Sequence, residues 1–215
     1  MQIYIDTANI DEIKQAHDLG ILDGVTTNPS LIAKEGVNYS KRLEEICKVV
    51  SGPVSAEVIA IDFAGMVKEG TEHSTIAPHI VVKLPSTLDG LKACKAFTDK
   101  GIKTNMTLCF QSLQALMVAK AGAFLVSPFI GRLDDIGEDG MNLIHDIRTI
   151  YDNYGLKTKI LAASIRHNNH LLHCALAGAD VATCPLSVIK GCMGHPLTDI
   201  GLQKFVADYK KAFGG

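Results

Sequence analysis

Eight short runs rich in β-branched and apolar residues mark the chain, at 2–6, 24–28, 54–59, 80–84, 103–108, 123–127, 159–163 and 180–184. Successive starts lie 22, 30, 26, 23, 20, 36 and 21 residues apart. That is the length of a strand plus a crossover helix, far beyond a hairpin connection, so the strands must be parallel. The runs are nearly continuous rather than alternating, as suits strands covered on both faces. Eight βα units in 215 residues predict one domain, a (β/α)8 barrel over 1–215, with an open doubly wound sheet as the alternative built from the same unit. Dinucleotide binding has no support: no strand is followed by G-x-G-x-x-G, and no G-x-x-x-x-G-K-[ST] occurs.

Local signals agree with this division. Asn9 with Glu12, and Ser86 with Asp89, read as helix starts. Gly20, Gly52, Gly101, Gly122, Gly155 and Gly178 each precede a strand, where a helix end accommodates a left-handed residue, and Pro78 occupies the remaining joint. The segment 197–213 is an amphipathic C-terminal helix carrying Leu202, Phe205, Val206, Tyr209 and Phe213, fit either to cover the barrel or to pack on a neighbouring subunit.

Composition removes several classes of function. Twenty-one basic against 23 acidic side chains leave a net charge of −2, which supplies no global field for nucleic acid or an anionic membrane, so any anion site must be local. No apolar stretch is long and uncharged enough to span a bilayer. The first residues, Met1 to Asp6, meet an acid before any base and have no apolar h-region, so they do not read as a secretory signal and the expected location is cytoplasmic. Cys47, Cys94, Cys109, Cys174, Cys184 and Cys192 form no C-x-x-C pair and read as reduced core thiols. His167, His170 and His173 read as surface or helix-packing residues rather than a metal site. Asp134, Asp135, Glu138 and Asp139 read as a solvated loop rim.

In a barrel the C-terminal strand ends converge on one face, so polar residues there carry the chemistry. They are Asp6, Asn28, Glu57, Lys83, the pair Asn105 and Thr107, Ser127 with Arg132, and Ser164 with Arg166. Lys83 has apolar neighbours on both sides and shares a face with Val81. It is either a solvated lysine or a desolvated amine able to attack a carbonyl and form a Schiff base. Glu57 on the preceding strand is either its structural salt-bridge partner or the holder of a proton-shuttling water, and Asp6 leaves a further carboxylate as base. Ser164 and Arg166 lie at the approach to a helix N-terminus and suit a phosphate ester or another tetrahedral anion, with Arg132 as a second charge.

Six segments then carry a resemblance over essentially the whole chain: Ile5-Asp6-Thr7-Ala8-Asn9, Gly24-Val25-Thr26-Thr27-Asn28-Pro29-Ser30, Val81-Val82-Lys83-Leu84-Pro85, Asn105-Met106-Thr107-Leu108, Ser127-Pro128-Phe129-Ile130-Gly131-Arg132 and Ala162-Ala163-Ser164-Ile165-Arg166. In these the chain resembles the small transaldolases, a family shared with fructose 6-phosphate aldolases. The resemblance implies a (β/α)8 barrel, Schiff-base chemistry with no metal or organic cofactor, and a ring-shaped homo-oligomer, a decamer of two pentamers in which the C-terminal helix reaches a neighbour. It implies that Lys83 attacks a ketose phosphate, that Asp6 is the base for carbon–carbon cleavage, and that Glu57 and Thr107 position a proton-carrying water. Asn28, Asn105 and Ser127 would hold the dihydroxyacetone hydroxyls, and Arg132, Ser164 and Arg166 the phosphate. The aldolases tend to carry Gln in place of Glu57 and Tyr in place of Phe129, so these two side chains favour transfer to an aldose phosphate over release of dihydroxyacetone. A sugar-phosphate-binding barrel without turnover is the reading from another class; it has no use for a nucleophilic amine.

Overall fold

The computed structural model describes residues 1–214. Its strands are β1 (Gln2–Asp6), β2 (Gly24–Thr26), β3 (Val54–Glu57), β4 (Ile80–Pro85), β5 (Thr104–Cys109), β6 (Leu125–Pro128), β7 (Lys159–Ala162) and β8 (Val181–Cys184). Each pairs in parallel with its sequence neighbour, and β8 closes on β1 in register from Gln2 opposite Val181 to Ile5 opposite Cys184. That closure excludes the open sheet and makes the domain a (β/α)8 barrel.

The helices are α1 (Ile10–Asp18), α2 (Pro29–Lys34), α3 (Tyr39–Val49), α4 (Phe63–Ser74), α5 (Leu88–Thr98), α6 (Ser112–Lys120), α7 (Ile130–Asp134), α8 (Gly140–Tyr154), α9 (Asn168–Leu176), α10 (Leu186–Gly191) and α11 (Pro196–Phe213). The two longest spacings in the sequence are explained by doubled crossovers: α2 and α3 follow β2, and α7 and α8 follow β6.

Strands apolar on both faces build two cores. Tyr4, Val81, Leu125, Leu161 and Val181 pack together inside the barrel. Their sequence neighbours Ile5, Val82, Val126, Ile160 and Ala182 belong to the larger cluster, with Ile13, Leu43, Ile46, Met66, Phe97 and Ile147 of the helices. Gly24 makes room for the inner layer, since a Cβ there would lie 2.7 Å from both the Tyr4 ring and the Pro53 carbonyl.

Several helix ends differ in detail from the sequence expectation. Asn9 caps α1 by accepting from the amides of Asp11 and Glu12, but Glu12 takes the Thr7 hydroxyl at 2.6 Å instead of reaching back to the cap. Thr87 caps α5, because the Ser86 hydroxyl is already spent on the Thr107 carbonyl. Five of the six helix-closing glycines are left-handed, whereas Gly52 is not and is instead required by packing: a Cβ would sit 1.9 Å from the Asp23 carbonyl. No residue of α11 is buried, which overturns the reading that this helix covers its own barrel.

Cys94, Cys109, Cys174 and Cys184 are buried core thiols, Cys47 is half-buried, and Cys192 is exposed. Burial pushes the thiols of Cys109, Cys174 and Cys184 up to about 12 from an ordinary 9.0. Since the folded state holds these groups protonated, their contribution to stability is intact below about pH 9 and is lost as the pH climbs toward 12. Iodoacetamide at about pH 8 should therefore modify Cys192 in the native protein while these three stay unlabelled, read by peptide mass. Labelling of the buried three at the Cys192 rate would refute the packing described.

Candidate active site

The barrel's register sets Glu57, Lys83 and Asn105 level on β3, β4 and β5. Lys83 lies two residues beyond Val81 and so shares its inward face. The lysine is only 4% exposed, which excludes the solvated reading. Its Nζ lies 2.9 Å from Glu57 Oε2 and donates to the Thr27 carbonyl at 3.0 Å. Thr27 itself is anchored, its hydroxyl donating to the Ser55 carbonyl at 2.8 Å.

Two hydroxyl networks flank this pair. Asp6 Oδ1 accepts from Thr26 Oγ1 at 2.8 Å, and Thr26 Oγ1 lies 2.6 Å from Thr183 Oγ1, linking the ends of β1, β2 and β8. On the other side Ser127 donates to Asn105 Oδ1 at 2.6 Å, while Asn105 Nδ2 donates to Ser55 Oγ at 3.1 Å. Thr107 is fully buried, and its hydroxyl has no protein partner. A buried hydroxyl without a protein partner is the kind of group an ordered water commonly satisfies.

Two adjoining cavities of 410 and 330 Å³ open at these strand ends. Between them they are lined by nine of the eleven sequence candidates: Asp6, Asn28, Glu57, Lys83, Ser127, Phe129, Arg132, Ser164 and Arg166. Asn105 and Thr107 line neither; Asn105 is hydrogen-bonded to Ser127, which does. Asn28 also caps α2, accepting from the Leu31 amide. The Arg132 guanidinium lies 5.4 Å over the Phe129 ring, and Arg166 pairs with Asp135 at 2.5 Å. Ser164 and Leu108 hold left-handed φ of 59° and 55° at the ends of β7 and β5. Such geometry costs a non-glycine residue about 1–3 kcal/mol and gathers at functional sites.

Sequence reasoning did not single out several polar lining residues, among them Lys34, Thr26 and Thr183. Lys34, in the last turn of α2, borders both cavities and adds a cation to the rim. Thr26 stands two residues before Asn28, and Thr183 is the last residue but one of β8, where the strand-end rule itself points to it. One further expectation needs correction. Asp134 and Asp135 are not merely a solvated rim, because they pair with His170 and Arg166. The reading of the three histidines as surface or helix-packing residues accommodates His170, which is buried and bonded through both ring nitrogens; among the described residues no three His, Cys, Asp or Glu side chains converge as metal ligands.

Comparison with known proteins bears directly on this site. The model of the Transaldolase/Fructose-6-phosphate aldolase family matches residues 3–214. The chain belongs to that family. It is 61% identical over 215 residues to a probable transaldolase of Bacteroides fragilis, covering 98% of this chain and 99% of the relative. It is 59% identical to the probable transaldolases of Bacteroides thetaiotaomicron, with full coverage of both chains, and of Leptospira biflexa, with 98% and 99% covered. For a member of an enzyme family, the buried amine at the floor of a polar cavity is the feature on which chemistry would centre.

Thr26→Val removes the donor to Asp6 and the partner of Thr183 while keeping the side chain's shape. It should lower turnover by about tenfold with a smaller loss of thermal stability, and Thr26→Ser should recover most of the rate. Full activity in the valine variant would show that Asp6 is held by other means.

Proposed function

We propose that the protein is a transaldolase that moves a dihydroxyacetone unit from a ketose phosphate to an aldose phosphate through a Schiff base on Lys83. The observation that carries the reading is the Lys83 ammonium, buried in the barrel, pointing into a cavity and touching a carboxylate. Glu57 is placed to take a proton from Lys83, which frees the lone pair to attack the C2 carbonyl. The resulting carbinolamine loses its hydroxyl as water, protons passing by Glu57 and a water held with Thr107, and leaves an iminium.

Asp6, oriented by Thr26, removes the proton from the C4 hydroxyl. The C3–C4 bond breaks, its electron pair enters the iminium, and an aldose phosphate leaves behind an enamine. Asn28 and Ser127, the latter aligned by Asn105, hold the hydroxyls of the three-carbon unit. Attack of the enamine on an incoming aldehyde and hydrolysis of the new iminium complete the transfer. Lysine and carboxylates suffice for these steps without metal or organic cofactor. Arg132, Ser164 and Arg166 take the phosphate: two guanidinium groups and a hydroxyl offer bidentate and single donors to a tetrahedral dianion. Glu57 and Phe129 stand where the aldolases tend to carry Gln and Tyr, which favours transfer over release.

Assembly into a homo-oligomer, two pentamers by resemblance, is supported by α11. It exposes Leu197, Ile200, Phe205, Tyr209 and Phe213, an apolar surface that a neighbouring subunit would cover. Phosphorylated sugars as substrates and reduced thiols built into the core support a cytoplasmic setting, and no described helix is long and apolar enough to cross a membrane.

Borohydride reduction in the presence of fructose 6-phosphate should leave a three-carbon adduct on Lys83, read by peptide mass; no adduct there ends the Schiff-base reading. With fructose 6-phosphate as donor, product should form only when erythrose 4-phosphate is added. Turnover indifferent to that acceptor would make the enzyme an aldolase.

A further inference from the structure

The two arginines of the anion site come from different loops. Arg132 stands on α7 after β6, and Arg166 in the turn between β7 and α9. Their mutual position therefore rests on contacts between the loops. Two are main-chain bonds, from the amides of Ile130 and Gly131 to the carbonyls of Ala163 and Ser164, each 3.1 Å. Gly131 is required for this approach, since a Cβ would lie 2.2 Å from the Ser164 carbonyl and 2.8 Å from Arg166 Nε. The Arg166–Asp135 pair is exposed on both sides and adds little rigidity.

A further contact is buried and involves a histidine that the reaction does not use. His170 on α9 is 8% exposed. Its Nδ1 accepts the main-chain N–H of Arg166 at 3.3 Å, and its Nε2 lies 2.8 Å from Asp134 Oδ2, at the end of α7. The other oxygen of Asp134 accepts from the Gly140 amide at 2.9 Å, so the carboxylate is itself oriented. To make both contacts the imidazole must be neutral, with its proton on Nε2. Burial first, then the neighbouring His167 ring at 3.8 Å, lower its proton affinity against the pull of Asp134.

We propose that His170 is a positioning residue of the anion site, holding the Ser164–Arg166 turn in register with α7 so that both guanidinium groups address one phosphate. The inference rests on the anion-site reading above. A ring that merely filled space would be replaceable by leucine; one that holds the Arg166 amide is replaceable only by a side chain with an acceptor near the Nδ1 position.

The test compares fructose 6-phosphate with fructose, which offers the same carbonyl and hydroxyls without the phosphate, in Arg166→Ala, His170→Leu and His170→Asn. Arg166→Ala calibrates the anion site by raising KM for the phosphorylated donor alone. His170→Leu should raise that KM by about tenfold, with a much smaller change in kcat and in KM for fructose. His170→Asn should recover most of the loss. If His170→Leu folds poorly by its thermal midpoint, Asp134→Ala severs the other arm and should give the same selective rise. The inference is overturned if His170→Leu, or Asp134→Ala in its place, affects both donors alike while Arg166→Ala discriminates between them, or if asparagine is no better than leucine. Should Arg166→Ala itself fail to discriminate, the anion-site reading falls, and this inference with it.

Discussion

A lysine ammonium enclosed in a barrel has to be met by oxygen atoms, and the active face is arranged around that demand. One oxygen is the Thr27 carbonyl, available because β2 has ended and the backbone no longer needs it for the sheet. The other belongs to Glu57, brought level with Lys83 by the β3–β4 register. Glu57 is held in turn at its main chain, where its carbonyl accepts the Tyr39 hydroxyl at 2.7 Å, and Tyr39 stacks on His73 at 5.2 Å. A barrel closed strand by strand in fixed register leaves no slack in this chain of supports.

The rim proposed to take an anion is organised by different physics. Its charges are exposed, so water and salt weaken what each arginine contributes alone. Guanidinium groups from separate loops become useful to one phosphate only when their backbones are tied together. The close approach at Gly131 and the buried contacts of His170 supply that tie. Ser164 takes its left-handed φ where the chain leaves β7, two residues before Arg166.

The strands and most of the site were legible because both are local or periodic. The eight runs lie within two residues of the observed strands, since an apolar segment bounded by glycine and polar caps has few other ways to bury itself. Asp6, Glu57 and Lys83 stood out as charges interrupting apolar runs. His170 gave no such signal: three histidines at helical spacing look alike in sequence, and only the tertiary contact between His170 and Asp134 at the end of α7 separates the buried one from the others. Lys34 was equally hidden, because a lysine in the last turn of a helix is common for reasons of helix dipole alone.

By itself the sequence determined the repeated βα unit, the parallel sheet, the polar residues at strand ends and the family, because each depends on residue type and spacing along the chain. Tertiary structure decided that the sheet closes, that Lys83 is buried against Glu57, that Asn105 bonds Ser127, and that α11 leaves its own barrel uncovered. Those outcomes depend on which residues come level across strands and which loops touch, and such distances are set by closure of the whole barrel rather than by any segment of it.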